Sequence, residues 1–369
     1  MHSDERLAAH GAVATALSLL SDHRLGAMVS AAAPLGAGVG GRSAELDVGG
    51  TRVFVKRVPV TDAELLPRRL RSTENLFGLP LFYQYGIGSA GFGAWRELAA
   101  HVMTTHWVLG GAHRGFPLMY HWRLLPDSPP EHFADAFGGI DGAVAHWEGS
   151  DAVRRRLEAI GRASHSLVLF LEYVPHRLSD WLAGRRDPVA ELPWVAEALA
   201  RTAEFTRSRG LVHFDAHFHN VLTDGRMLYL ADFGLACAEA FDLSPEERRF
   251  LTAHLGYDGA YSAAHLLRHH LSSRDRAGLE HEELLRGWVA GRRPAGGLRP
   301  EVAALLDRRA GTSAVLDEFH RRLTEETKRT PYPAEALARH EHDPEHGETY
   351  GHEETYGAEG TYGYGYGQP

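Results

Sequence analysis

The sequence predicts an α+β protein, a mainly antiparallel β region followed by a larger α-helical one. Three observations lead there. The segments 43–47 and 51–58 flank Gly49-Gly50, the composition of a tight hairpin turn. Two apolar runs, 116–125 and 167–173, read as further strands. Beyond residue 176 the apolar spacing turns helical, with Val195, Leu199, Thr202 and Phe205 near one face of a 193–207 helix. The expected divisions are a leading helix over 1–25, the β region with insertions over 26–175, the helical region over 176–330, and a tail over 331–369.

Gly11 to Leu20 is apolar, but Asp4 and Glu5 offset Arg6 ahead of it. It therefore reads as an amphipathic helix ending at Ser21-Asp22 and not as an export signal. Leu35 to Ser43 holds G-x-G-x-x-G at Gly36, Gly38 and Gly41. No helical run follows it, which sets it apart from a dinucleotide-binding loop. Glycine at such points permits close backbone approach. The next strand carries Val53-Phe54-Val55-Lys56-Arg57, and Lys56 is one of only two lysines in the chain, with Lys328. A compact ammonium on a flexible stem meets phosphate oxygens as a point charge, which a planar guanidinium does not reproduce. Ala94 to Met103 is helical and holds Glu97, preferred to Glu64 and Glu74 as the carboxylate partner of Lys56. Between them, Leu76 to Gly93 is rich in Phe, Tyr and Gly and reads as an ordered insertion. A second insertion spans 126–164, with a helix expected over 151–162.

The 167–173 strand ends in Glu172-Tyr173-Val174-Pro175. After the 193–207 helix, closed by Gly210, comes His213-Phe214-Asp215-Ala216-His217-Phe218-His219-Asn220. Val221-Leu222 and Met227 to Leu230, broken by Asp224-Gly225, predict a hairpin. That hairpin brings Asn220 to Asp232 of Ala231-Asp232-Phe233-Gly234. Phosphoryl transfer asks for one carboxylate to orient an acceptor hydroxyl and two oxygen ligands to hold Mg²⁺ against nucleotide phosphates. Asp215, Asn220 and Asp232 are such a set.

Taken in order over roughly residues 30 to 240, these landmarks resemble the protein-kinase-like superfamily, which includes protein kinases and the aminoglycoside and choline phosphotransferases. The resemblance implies a two-lobed kinase fold, the small lobe carrying one key helix, with ATP as substrate and Mg²⁺ as cofactor. It makes Gly36, Gly38 and Gly41 a lid over the phosphates, with Lys56 on the α- and β-phosphates and paired to Glu97. It sets the backbone of Glu172 and Val174 against the adenine, with Leu171 at the gatekeeper position. Asp215 becomes the catalytic carboxylate, and Asn220 and Asp232 the metal ligands. The acceptor it favours is a protein Ser/Thr hydroxyl. A small-molecule alcohol is the alternative, and a nucleotide-binding pseudokinase scaffold the second alternative. Three departures bear on that choice. Phe214 stands where regulated protein kinases carry Arg, His217 resembles the aminoglycoside and choline enzymes, and no Ala-Pro-Glu follows Asp-Phe-Gly.

A formal net charge of −9 argues against a general nucleic-acid footprint. Cys237 is the only cysteine, which fits a reducing cytoplasm, the expected location. No apolar run reaches bilayer length, so no membrane partner is expected. The near repeats Glu348-Thr349-Tyr350-Gly351 and Glu354-Thr355-Tyr356-Gly357 have no apolar periodicity, so the tail is expected to be disordered.

Overall fold

A computed structural model of the protein describes residues 3–38 and 41–341. The chain is α+β. Its β1 (Ala33–Gly38), β2 (Gly41–Val48), β3 (Thr51–Val60), β4 (Met119–Pro126) and β5 (His165–Glu172) form one antiparallel sheet in the order β1-β2-β3-β5-β4. Gly49 and Gly50 both take positive φ, 61° and 84°, in the two-residue turn that closes β2 onto β3. That is the turn whose twist suits a hairpin.

Alternation along β3 sorts its side chains. Val53 and Val55 enter the main core, whereas Phe54, Val58 and Val60 join a second core against helix α4 (Ala94–Leu109). Lys56 shares the even-numbered face and so points toward α4. β5 lies between β3 and β4 and is buried on both faces: Val168 and Phe170 on one, Leu167, Leu169 and Leu171 on the other. This double burial explains why it reads as an unbroken apolar run.

The leading segment is two helices, α1 (Ser3–Ser18) and α2 (Asp22–Ala31), where a single helix over 1–25 was expected. Ser21 divides them: its hydroxyl accepts from the Arg24 N–H at 3.4 Å and starts a new helix. Val13, Leu17, Leu25 and Val29 pack in the main core.

The two insertions are ordered and share a core of their own. Ahead of the first lies α3 (Asp62–Leu65), and the second contains α5 (Ile140–His146) and α6 (Asp151–Ile160). Leu79, Tyr83 and Phe92 of the first pack against Trp147, Val153, Leu157 and Ile160 of the second. Glu64 joins them electrostatically. Its Oε1 accepts from the Ala94 N–H at 2.8 Å, and its Oε2 from Arg156 Nη1 at 2.9 Å. Glu64 is thus committed to the head of α4 and is no rival for Lys56.

Beyond β5 the chain is mainly helical. A short strand β6 (His176–Arg177) leads to α7 (Leu178–Ala183), α8 (Pro188–Ser208) and β7 (Leu211–Val212). Helix α8 begins before the expected Pro193, which lies within it and forgoes one backbone hydrogen bond in the second turn. The strands β8 (Val221–Thr223) and β9 (Leu228–Leu230) form the expected hairpin, and β10 (Cys237–Ala238) pairs with β7. Then come α9 (Pro245–Ala253), α10 (Tyr257–His269), α11 (His281–Val289), α12 (Pro300–Glu325) and α13 (Ala334–Glu341).

Helix α13 corrects the expected tail boundary at 331. Leu337 is buried in the main core, and Tyr332 stacks on His254 with ring centroids 4.0 Å apart. The repeats at 348–357 lie outside the described residues. Among the described residues no helix is long and apolar enough to cross a membrane.

Candidate functional site

The site forms where three elements meet: β3, the head of α4, and the loops on either side of the β8–β9 hairpin. Lys56, central in β3 between Ser43 and Leu169, places Nζ 2.7 Å from Glu97 Oε1 and 2.7 Å from Asp232 Oδ1. Glu97 sits in the first turn of α4, on the face turned to the sheet. Lys56 and Glu97 are buried, while 43 % of the Asp232 side chain stays open. Burial lowers the Lys56 pKa, but the Asp232 and Glu97 charges override it and hold the ammonium well above its ordinary value. For Asp232, burial is overridden by the Lys56 charge, and its carboxyl falls to about 2. Burial pushes the Glu97 carboxyl up to about 6, opposed by Lys56.

Hairpin geometry joins the two loops. The Ala231 N–H donates to the Asn220 carbonyl at 2.9 Å, one step past the last β8–β9 pair, Val221 with Leu230. Asn220 Nδ2 donates to both the Asp215 carbonyl and Asp215 Oδ2, each at 3.0 Å. This turns the amide oxygen of Asn220 away from Asp215. Asn220 and Asp232 therefore offer hard oxygen donors at neighbouring points, the chemistry that suits Mg²⁺. Burial, with the Asp232 charge adding to it, raises the Asp215 carboxyl well above its ordinary range.

The loop holding Asp215 is braced from below. Phe214 takes a left-handed backbone, φ 64°, and its ring is fully buried among Tyr85, Phe250, His254 and Tyr257. A non-glycine residue holds that conformation only where its surroundings over-determine it. Here Asp258 of α10 does so, accepting from the His213 N–H at 2.6 Å and the Phe214 N–H at 3.0 Å. His213 is fully buried: its Nε2 contacts the Ala231 carbonyl at 2.9 Å, and its Nδ1 accepts from the Asp215 N–H at 3.2 Å. Phe233 lies edge-on to both His101 of α4 and His213, at 5.0 Å and 5.2 Å between centroids. The Asp-Phe-Gly segment thereby couples helix α4 to the Asp215 loop. Asp232 is left-handed as well, φ 65°.

The remaining sequence-derived positions lie further out. Gly36, Gly38 and Gly41 belong to the β1–β2 hairpin, whose turn residues 39 and 40 are outside the described residues. Gly41, at φ 120°, would place a Cβ 2.2 Å from the Arg57 carbonyl oxygen, so glycine is required there by β3 itself. Leu171 is buried in β5 beside Met119 of β4 and Phe54 of β3. Glu172 ends β5, and its N–H already donates to the Leu118 carbonyl at 2.7 Å. Its carboxylate receives Arg6 of α1 in two bonds, each 2.7 Å. Val174 follows, half-buried.

Sequence reasoning missed three contributors. Asp258 has no local signature; only the fold brings it beneath residues 213–214. Arg6 read as one charge among several near the N-terminus. The third is the run Gly86-Ile87-Gly88-Ser89-Ala90-Gly91, whose glycine spacing was on view but whose position over Asp215 was not. A Cβ on Gly86 would lie 2.1 Å from Asp215 Oδ1, and one on Gly91 2.4 Å from the Gly234 carbonyl oxygen. A cavity of about 330 Å³ lies between this segment and Asp215, His217, Asn220 and Asp232. Compared with models of known protein families the chain matches none, and no curated protein matches it either.

Proposed function

We propose that the chain is an ATP-dependent phosphotransferase of the protein-kinase-like kind, moving the γ-phosphoryl group of ATP to an alcohol. The sheet with α1–α6 would be its small lobe and α7–α13 its large lobe, and the single cysteine suits a reducing cytoplasm. The observation that carries the reading is one cavity lined by Glu97 and Asp232, both paired to Lys56, together with Asp215 and Asn220.

Each residue has a role that its surroundings support. Lys56, kept charged and fixed by Glu97, presents an ammonium to phosphate oxygens. Asn220 and Asp232 would hold Mg²⁺, which when bound neutralises phosphate charge during transfer. Asp215 orients the acceptor hydroxyl and takes its proton as the acceptor oxygen bonds to the γ-phosphorus and the bond to ADP breaks. Burial and the Asp232 charge raise its pKa, which makes the ionised carboxylate a stronger base. Phe214 offers no cation to a phosphorylated loop, which supports activity without prior phosphorylation of the chain.

Calorimetry with Mg·ATP tests the reading. Wild-type protein should bind, and Asp232→Ala should lose Mg²⁺-dependent binding while keeping its melting temperature. Equal Mg·ATP affinity in both proteins would refute the assignment.

A further inference from the structure

The identity of the acceptor can be narrowed by what surrounds Asp215; this step rests on the phosphotransfer reading above. A polypeptide acceptor must run through the site as an extended chain, about 3.3 Å per residue to either side of its hydroxyl. That requires an open platform beside the catalytic carboxylate. After Asp-Phe-Gly, however, Cys237 and Ala238 pair straight back onto Leu211 and Val212, and α9 already begins at Pro245. No length of chain remains there to build a platform.

Its place is taken by the strap 84–93. Gln84 Nε2 donates to the Leu235 carbonyl, and the Tyr85 hydroxyl meets His254 Nε2 at 2.7 Å. Further along, the Ile87 carbonyl meets His146 Nε2 at 2.9 Å, and the Ala90 N–H donates to the Tyr83 hydroxyl at 3.0 Å. The strap is thus fixed to the α9 region, to α5 and to itself, and Gly86 lies against the Asp215 carboxylate. Gly86, Gly88, Ser89, Ala90 and Gly91 form one wall of the cavity that Asn220 and Asp232 line on another.

The cavity wall beside the Asp215 carboxylate is polar. Arg156, held by Glu64 through Nη1, lines it, and His217 Nε2 stands 3.7 Å from Asp215 Oδ2. Convergent polar groups of this kind suit a polar ligand.

We infer that the strap is the acceptor wall of the site, and that the acceptor is a small polar alcohol and not a residue of a polypeptide. The test supplies the full chain and γ-labelled Mg·ATP with two separate pools. One holds choline, serine, glucosamine, myo-inositol and adenosine; the other holds casein, myelin basic protein and a Ser/Thr/Tyr peptide library. Label should enter the small-alcohol pool and stay out of the protein pool beyond the level of an Asp215→Asn control. Label in the protein pool overturns the inference while leaving the phosphotransfer reading intact. No label in either pool, with Mg·ATP bound, overturns it too. Failure to bind Mg·ATP takes down both. With an accepted alcohol in hand, Ala90→Leu should raise its KM about tenfold or more. Mg·ATP affinity should stay at its wild-type value. An unchanged acceptor KM would show that the strap does not line the acceptor.

Discussion

At the scale of single residues, the site is a set of close approaches that leave little room for change. Gly86 is the sharpest case. Its φ is not in the left-handed region, so alanine is conformationally permitted there, and only the nearness of Asp215 forbids a Cβ. Gly86→Ala should therefore lower phosphate transfer at least tenfold, the scale for displacing a catalytic group. Mg·ATP affinity should hardly move, because Gly86 touches neither Lys56 nor Asp232. Asp215→Asn should behave similarly but more severely, losing about 10²–10⁴-fold in transfer with ATP binding retained. Steady-state rates beside calorimetry separate the two effects. Asp258 gives a different outcome. Replacing it by Ala strands two buried backbone N–H groups and should cost about 2–4 kcal/mol in chemical denaturation. Lys56, Asp215, Asn220 and Asp232 were legible as candidates because their types fit the proposed chemistry. Asp258 was not, because any acceptor positioned by the fold could do its work.

Among elements, strands were read more truly than helix ends. β3 and β5 carry their burial pattern in the order of their side chains, and the β8–β9 hairpin announces its own turn. Helix α13 left a weaker mark. Its Ala, Glu, Leu and Arg residues favour helix, but eight residues are too few to hold one alone, so its order also needs the packing of buried Leu337. The pairing of α10 with the Asp215 loop has a measurable consequence. His265 and His269 of α10, with His270 just past its end, crowd His217 and His219 of the loop around Phe218. Burial, with the neighbouring imidazoles adding to it, depresses His265 to about 2 and His270 to about 4, and it lowers His217 too. The unfolded chain takes up those protons first, near pH 6.5, so stability is fully present above that pH and declines as pH falls below it. The urea midpoint should be flat from pH 8 to 7 and drop steadily from about pH 6.5 to 4. His265→Gln should make that slope shallower, and an unchanged slope would remove the cluster from the explanation.

For the molecule as a whole, the α+β class was legible because the period of the apolar residues changes along the chain. The packing of 331–341 was not, since composition draws a border at 331 whereas Tyr332 and Leu337 pack on the helical region. A chain ended at Thr330 should melt roughly 5 °C or more below one ended at Glu341, because it loses the buried Leu337 and the Tyr332 stack. Equal melting points would mean that α13 adds nothing. The shared core of the two insertions has a wider consequence. Leu79, Tyr83 and Phe92 come from one, and Trp147, Val153, Leu157 and Ile160 from the other. Neither can be grafted alone onto another scaffold without baring half an apolar interface. In recombination or chimera building they form one heritable unit, gained or lost together, although the whole of α4 and β4 separates them in the chain.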